Sequence, residues 1–175
     1  MTSDYTLAFW IYPDTNLRDT IFGDYQTTGT SSVNIERRAT TGNLRIYYGN
    51  DIFTDSSSIT GISMPQNIWT HIALSYNSTT HVFTIYKNGV KAPVTYTKDV
   101  SSYTKTSGLF WIGRDNRSVA PENLDGKLSD FRFYATCLND WAIQDLYETR
   151  LNISKSNDLL SKKIDEGFGT FNVTK

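Results

Sequence analysis

The sequence predicts an all-β protein, a two-sheet antiparallel jelly-roll β-sandwich with one short C-terminal helix. Short runs of alternating apolar and polar residues follow one another through residues 5–134, and no helical pattern interrupts them. Aromatic residues are abundant, with 4 Trp, 11 Tyr and 9 Phe. These side chains suit the surfaces of packed sheets, where they contact neighbours across strands.

The first predicted strand, residues 5–12, shows the alternation clearly, and one of its faces is expected to lie in the core. The two faces consist of Tyr5, Leu7, Phe9 and Ile11, and of Thr6, Ala8, Trp10 and Tyr12. Further strands are predicted over residues 20–25, 32–38, 44–48, 68–76, 82–88, 109–113 and 127–134. Turn residues separate several of them, at 40–43, at 77–80 and at the Asn88-Gly89 pair, which tolerates positive φ.

A single helix is predicted over residues 138–150, with Asn139 as its N-cap. We expect four apolar side chains to share its packed face: Trp141, Ile143, Leu146 and Tyr147. Residues 1–150 are therefore predicted to form one domain. Residues 151–175 are interpreted as a partly ordered extension or a link to a further domain, with a strand-like alternation at Phe168–Val173.

Composition and charge exclude several functions. The net charge is −1 and the basic residues are scattered, so no electrostatic footprint for nucleic acid is present. No apolar stretch approaches the roughly 20 residues of a membrane span, which argues against membrane insertion. The lone cysteine, Cys137, excludes an internal disulfide and is expected to pack as a small apolar residue. Residues 1–12 lack the pattern of a secretory signal peptide.

Three segments together resemble laminin G-like domains, which belong to the concanavalin A-like lectin group. The first is the strand 5–13, which ends in Trp10-Ile11-Tyr12-Pro13. The second is the hairpin 69–89, with Trp69-Thr70-His71 and Tyr86-Lys87-Asn88-Gly89. The third combines Trp111-Ile112-Gly113-Arg114 with Asp125-Gly126-Lys127 and the helix that follows. Their order and spacing carry the resemblance over most of residues 5–149.

The resemblance implies a jelly-roll module that serves in recognition of glycans or proteins at cell surfaces. We therefore expect a non-catalytic module that binds a glycan or a cell-surface receptor, within a larger extracellular, phage-tail or other virion-surface assembly. Two alternatives stay open: a structural or protein-docking domain that binds no sugar, and a glycan-cleaving enzyme, which is disfavoured. Relative to the family, a strand before Tyr5 is missing, and we expect Phe168–Val173 to cap the resulting edge.

Catalytic signatures are weak. Retaining glycosidases need two carboxyl groups about 5 to 5.5 Å apart, and no strand carries a Glu-x-Asp-x-x-Glu run. Glu36 stands beside two arginines, whereas Asp145 and Glu148 lie on the predicted helix. The histidines, His71 and His81, are expected to have structural or solvated roles, because no Gly-x-Ser-x-Gly turn accompanies them.

Candidate ligand-binding residues are aromatic and planar polar side chains on strands with mixed faces or at turns: Arg45, Tyr47, Tyr48, Trp111 and Tyr25. The alternative for the tryptophans is packing, since Trp10, Trp69 and Trp111 match positions that the family uses in its core. The loops 51–64 and 114–123 are polar and are expected at the rim of the sandwich, where recognition concentrates.

A calcium site is also a candidate, because hard cations prefer clustered oxygen ligands. Its ligands would be Asp115, Asn116 and Asp125, which flank the loop 114–123. The alternative is that these residues make turn hydrogen bonds, as Asp and Asn commonly do at the start of loops.

Overall fold

The fold consists of two stacked antiparallel sheets and a helix. The computed structural model describes residues 3–23, 31–49, 51–54, 62–93, 95–101, 110–114 and 122–150; the side chains at 31, 32, 48, 49 and 51–54 are outside this description. Helix α1 spans residues 140–150. The strands are β1 (Tyr5–Pro13), β2 (Asp19–Gly23), β3 (Ser31–Arg37), β4 (Leu44–Gly49), β5 (Asp51–Thr54), β6 (Thr70–Asn77), β7 (Val82–Lys87), β8 (Val90–Lys91), β9 (Tyr96–Thr97), β10 (Trp111–Ile112) and β11 (Gly126–Tyr134).

The first sheet has the order β11-β1-β6-β7-β8, with β9 also paired to β7, and the second has the order β10-β2-β3-β4-β5. Neighbouring strands are antiparallel in both sheets. This architecture confirms the predicted fold class. In the described part of the chain, no helix is both long enough and apolar enough to cross a bilayer.

The main core lies between the two sheets and is built from alternate residues of facing strands. In β1 the alternation is as predicted, and these inward residues are buried: Tyr5, Leu7, Phe9 and Ile11. From the second sheet, β3 and β4 contribute Val33, Ile35, Leu44 and Ile46. The intervening side chains of β3 and β4 therefore point away from the core, to the outer face of the second sheet.

Helix α1 covers the outer face of the first sheet. Ile143 is completely buried there against Ala8, Ala73 and Tyr86. The predicted N-cap is confirmed, because the Asn139 Oδ1 accepts a hydrogen bond of 2.9 Å from the backbone N–H of Ala142.

The predicted packed face of the helix is wrong for Trp141, which is 74 % exposed. At about 100° per residue, Trp141 lies about 120° or more around the helix from Ile143, Leu146 and Tyr147. Leu146 packs against the buried cluster, and the Tyr147 ring stacks on Trp10 at 5.4 Å. Trp10 itself is buried, which confirms its predicted packing role.

The predicted turns are confirmed where φ is positive. Asn88 and Gly89 have φ of 52° and 77° and connect β7 to β8. In the β6–β7 hairpin, Asn77 Oδ1 accepts hydrogen bonds from the backbone N–H groups of Thr79 and Thr80, at 3.1 and 2.9 Å.

Two further sequence expectations fail. The segment 51–64 was expected to be a loop, but Asp51–Thr54 pairs with β4 as strand β5, and Ile62 and Met64 are buried in the core. Trp69 was expected to pack in the core, but it is 41 % exposed because it precedes β6 at the end of the sheet. One side of its indole contacts Tyr12, with ring centroids 5.5 Å apart. Residues 151–175, with the predicted strand-like Phe168–Val173, lie outside the described residues.

A buried ion pair connects the loops at one end of the second sheet. The side chains of Arg37 and Asp19 are completely buried, with Arg37 Nη1 at 3.3 Å from Asp19 Oδ2. The guanidinium also donates to backbone carbonyl oxygens, at 2.7 Å to Met64 and 3.0 Å to Thr15 and Leu17. Arg37 therefore fixes the loop before β2 and the segment around Met64 against the end of β3.

Candidate functional site

A polar surface covers the outer face of the second sheet, opposite the core. In one row, direct strand pairing places Trp111 beside Gly23, Gly23 beside Asn34, and Asn34 beside Tyr47. Directly paired residues of antiparallel strands point to the same side of the sheet. This row therefore crosses four strands, β10, β2, β3 and β4, with all its members on the outer face.

A second row lies next to the first and pairs Thr20 with Glu36 and Glu36 with Arg45. The register of β2 against β3 shifts between Thr20 and Phe22. This irregularity lets Thr20 and Gly23 both face outward while Ile21 and Phe22 are buried in the core. We call the two rows, together with Arg18, Arg114 and Glu122, the polar face.

Aromatic rings and guanidinium groups are paired on the polar face. The Arg45 guanidinium carbon lies 4.7 Å from the centroid of the Tyr47 ring, and that of Arg114 lies 4.7 Å from the Trp111 ring. Stacking of this kind holds both members of a pair in a fixed orientation. The polar face therefore carries a guanidinium group beside an aromatic ring at two positions, which β2 and β3 separate.

Four charged side chains form a network at the centre of the polar face. Arg18 bridges two carboxylates, with Nη2 at 2.8 Å from Glu36 Oε2 and Nη1 at 2.9 Å from Glu122 Oε1. Arg45 Nη1 approaches Glu36 Oε2 at 3.9 Å. Burial raises the pKa of Glu36, against the lowering effect of Arg18. The hydroxyl of Tyr47 accepts a hydrogen bond of 3.1 Å from Arg18, which ties the ring to the network.

The base of the polar face contains buried polar atoms with unused hydrogen-bonding capacity. The side chains of Thr20 and Asn34 are completely buried. Four buried atoms on this face have no hydrogen-bond partner among the described residues: Thr20 Oγ1, Asn34 Oδ1, Arg45 Nε and Trp111 Nε1. Tyr5 Oη, Trp10 Nε1 and His71 Nδ1, elsewhere in the sandwich, also lack one. Such atoms are rare in folded proteins, because each costs about 1–3 kcal/mol when left unsatisfied. Their concentration on one face indicates a place where a ligand or ordered water would complete the hydrogen bonding.

Three of the five predicted ligand-binding residues come together here: Arg45, Tyr47 and Trp111. Tyr25 and the side chain of Tyr48 lie outside the description. Sequence reasoning missed Asn34 and Glu36, although their alternation with Val33 and Ile35 in β3 places them outward.

Arg18 and Glu122 were also missed, and for a different reason. Both residues precede strands, where no alternation of apolar and polar residues predicts the face on which a side chain lies. Their contribution depends on the bridge that Arg18 makes between Glu36 and Glu122, which only the folded chain brings about.

The candidate calcium site is only partly described. Asp115 and Asn116 lie outside the described residues. The backbone of Asp125 is engaged, because its N–H donates to Asp19 Oδ1 at 3.0 Å and its carbonyl oxygen accepts from Asp14 N–H at 2.8 Å. Within the described ranges, no group of three or more His, Cys, Asp and Glu side chains is arranged to hold a metal ion.

The two histidines lie away from the polar face. His71 is buried beneath helix α1 and contacts the tilted rings of Trp10 and Tyr147 at centroid distances of 5.3 and 5.9 Å. Burial lowers the pKa of His71 to about 4, so the imidazole is neutral near pH 7. His81 contacts the Tyr76 hydroxyl at 3.1 Å. The burial of His71 fits the structural role predicted for it, and His81, which is predicted to be solvated, is 37 % exposed.

A small open cleft lies between β11 and α1. Its lining consists of Ser129, Asp130, Arg132, Thr149 and Arg150. The ionic groups there pair with each other, since Arg132 Nε donates to Asp130 Oδ1 at 2.6 Å, and Arg150 reaches the Ser129 hydroxyl at 3.4 Å. The cleft has less unused hydrogen-bonding capacity than the polar face, which is therefore the better candidate site.

Solved structures with the same fold include a pentraxin and two proteins whose names or ligands refer to carbohydrate. A native heptameric SAP-like pentraxin from Limulus polyphemus superposes with a TM-score of 0.63 at 15% identity, over 82% of this chain and 69% of the pentraxin. A putative carbohydrate binding protein from Bacteroides ovatus gives 0.62 at 21% identity, over 82% of this chain and 40% of that protein. Domain 4 of an extracellular arabinanase from Geobacillus stearothermophilus, in complex with arabinotriose, gives 0.62 at 20% identity, over 83% and 68%. At these sequence identities, the structural similarity shows that this chain shares their fold.

Sequence comparison gives the family directly. No curated protein sequence matches this chain. The family model of the concanavalin A-like lectin/glucanases superfamily, Laminin_G_3, matches residues 1–144 and so spans all eleven strands described above. The chain therefore belongs to the concanavalin A-like lectin/glucanases superfamily, as its laminin G-like motifs predict.

Proposed function

We propose that this protein is a non-catalytic glycan-binding module and that the polar face of its second sheet is the binding surface. The observation that carries the proposal is the group of buried polar atoms without partners at the base of this face, flanked by the Tyr47 and Trp111 rings. Sugar hydroxyls both donate and accept hydrogen bonds, and the apolar faces of sugar rings pack on aromatic side chains. A glycan would therefore supply both kinds of contact that the face offers.

The relatives support the same proposal. One is named a putative carbohydrate binding protein, and another is an arabinanase domain solved with arabinotriose. This chain covers 40% of the Bacteroides protein, so that protein's wider function is a separate question. The fold also serves glucanases, so binding without cleavage has to be argued from the residues.

The carboxylates of the polar face are better suited to holding a ligand than to cleaving one. General acid catalysis needs a carboxyl group that can deliver a proton to the leaving oxygen. Both oxygens of Glu36 are engaged by donors: Asn34 Nδ2 reaches Oε1 at 2.7 Å, and Arg18 reaches Oε2 at 2.8 Å. Arg18 also lies between Glu36 and Glu122, where a scissile bond would have to be placed. The arrangement supports recognition without hydrolysis.

The binding experiment combines a broad glycan array with calorimetry on the hits. Replacement of Tyr47, Arg45 or Trp111 by alanine is expected to weaken binding by about tenfold or more, as for central residues of other binding sites. The matched control is Trp141→Ala, which removes an indole that is 74 % exposed on α1. Equal losses in all four variants, or no glycan bound by the native protein, would contradict the proposal. Repeating the titration with calcium and then with chelator tests the candidate site at Asp115, Asn116 and Asp125.

We also propose an extracellular setting, in which the module recognises a cell-surface receptor glycan as part of a larger surface or virion assembly. A second candidate function, protein docking without sugar, is favoured by one edge of the sandwich. There Ile112 of β10 and Phe133 of β11 are 54 % and 53 % exposed. If Ile112→Ser and Phe133→Ser abolish incorporation into the native assembly while no glycan binds, docking replaces glycan recognition.

A further inference from the structure

The charges on the polar face balance each other at its centre. Arg18 and Arg45 carry two positive charges, and Glu36 and Glu122 carry two negative charges. The four groups are joined by contacts of 2.8, 2.9 and 3.9 Å. Arg114 adds a guanidinium at the margin, where it stacks on the Trp111 ring at 4.7 Å. Among the described residues, the Arg18–Arg45–Glu36–Glu122 network therefore carries no net charge of its own.

An acidic ligand would have to break this network. Arg18 and Arg45 both contact Glu36, whose side chain is only 3 % exposed. A ligand carboxylate that took the Arg18 guanidinium would leave the buried Glu36 carboxylate with Arg45, at 3.9 Å, and the Asn34 amide, which is unfavourable. The ligand carboxylate would also lie close to Glu36 and Glu122, which carry the same negative charge. Acidic sugars are therefore disfavoured at this surface by both desolvation and repulsion.

The unsatisfied atoms require a ligand that donates as well as accepts. Arg45 Nε and Trp111 Nε1 can only donate, whereas Asn34 Oδ1 can only accept. The orientation of the Asn34 amide follows from its contact with Glu36, since Nδ2 must face that carboxylate at 2.7 Å. A carboxylate or sulfate group only accepts, so it would leave Asn34 unsatisfied. Hydroxyl groups satisfy all three atoms.

The spacing of these groups indicates the length of the ligand. Trp111, Asn34 and Tyr47 lie in one paired row that crosses β10, β2, β3 and β4. Three strand spacings correspond to about 14 Å, which is longer than one sugar ring. Gly23, between Trp111 and Asn34 in this row, has no side chain. The Asn34 amide oxygen lies in the space above this glycine.

On the basis of the glycan-binding function proposed above, we infer that the polar face takes an uncharged oligosaccharide of hexose or pentose units, lying across the strands, and discriminates against uronate, sialate and sulfated glycans. Discrimination arises from the balanced Arg–Glu network, and affinity from hydroxyl contacts and the two aromatic rings. Because no net charge is neutralised on binding, the affinity is expected to depend little on salt.

The first test is calorimetry with two panels of oligosaccharides at 50 and 500 mM NaCl (about 14 and 4 Å Debye length). The uncharged panel contains arabino-, xylo-, manno- and gluco-oligosaccharides, and the acidic panel contains oligogalacturonate, hyaluronan fragments, oligosialate and heparin fragments. We expect binding from the uncharged panel alone, with affinities that change less than about twofold with salt. Tighter, salt-sensitive binding of an acidic glycan would overturn this inference and leave the proposed function intact. No binding from either panel would overturn both.

The second test changes the charge balance with one substitution. Glu122→Gln leaves Glu36 paired and gives the centre a net positive charge, so acidic oligosaccharides are expected to bind about threefold tighter or more. The readout is the ratio of the affinity for acidic to that for uncharged oligosaccharides, measured on the same variant, which should rise about threefold or more over the native protein. The matched control is Glu148→Gln, an equal change of total charge on α1, where Glu148 contacts only Gln144 among the described residues. If both variants affect acidic ligands equally, the Arg–Glu network does not set the discrimination.

Discussion

Replacement of Arg37 by methionine tests whether the buried ion pair at the end of the second sheet stabilises the fold. The substitution keeps a long, flexible side chain in the space that Arg37 fills. It removes the guanidinium, which donates to Asp19 and to the backbone carbonyl oxygens of Met64, Thr15 and Leu17. The Asp19 carboxylate then keeps one described hydrogen bond, from the Asp125 N–H at 3.0 Å.

The magnitude follows from what is left buried. The side chain of Asp19 is 0 % exposed, and breaking a buried pair by removing one partner typically costs about 3–5 kcal/mol. Met64 is also completely buried, so its carbonyl oxygen loses a donor at a further cost of about 1–3 kcal/mol. Water can replace the donor at Leu17, which is 62 % exposed. We expect Arg37→Met to lower the free energy of unfolding by at least about 4 kcal/mol at pH 7.

Urea unfolding, followed by Trp fluorescence, measures this loss as a fall in the transition midpoint at constant slope. The double variant with Asp19→Asn should recover about 2 kcal/mol or more, because it removes the stranded charge. The single variant should also lose less at acid pH, since burial raises the pKa of Asp19 and protonation neutralises the carboxyl group. A loss below about 1 kcal/mol, or no recovery in the double variant, would refute the reasoning.

Three further predictions concern separate parts of the sandwich. Burial lowers the pKa of His71 to about 4 from 6.5. The unfolded chain therefore takes up a proton first as the pH falls, and about 3 kcal/mol of stability is lost between about pH 6.5 and 4. His71→Gln should flatten that part of the pH profile in urea unfolding, and an unchanged profile would contradict the assignment. Gly23→Ala should lower the free energy of unfolding by about 1–3 kcal/mol. The new Cβ would lie 2.1 Å from Asn34 Oδ1 and 2.8 Å from the carbonyl oxygen of Val33. An unchanged thermal midpoint would show that β2 and β3 can separate without cost. Asn139→Ala should lower the free energy of unfolding, measured in urea, by about 1 kcal/mol, and Asn139→Asp should lower it much less. Equal losses in the two variants would mean that the hydrogen bond from Ala142 to the cap does not stabilise α1.

The sandwich was predictable from the sequence because its strands alternate. The residues of β1 that face the core, Tyr5, Leu7, Phe9 and Ile11, form one of the two faces that the alternation predicts. The segment 51–54 was missed as a strand, since its four residues are too few for a period of two to stand out. Trp141 lies on the exposed side of the helix because its angle about the helix axis, and not its hydrophobicity, decides which side contacts the sheet.

The candidate site was predictable only in part. Arg45 and Tyr47 share a face of one strand, so their proximity follows from a separation of two residues. The contact between Arg18 and Glu122 joins residues 104 positions apart, given their sequence numbers 18 and 122. Their encounter depends on the packing of loops against the second sheet, and no local pattern carries that information.

Helix α1 has a consequence for how the module can be attached to a support. It covers the outer side of the first sheet, so the two broad sides of the sandwich differ and the molecule has a front and a back. Gln144 is exposed on α1, at the back. A biotin placed there through Gln144→Cys, with Cys137 replaced, would orient every immobilised molecule with the polar face toward solution. Arrays made in this way would present ligands with a single orientation, and their avidity could then be controlled through surface density alone.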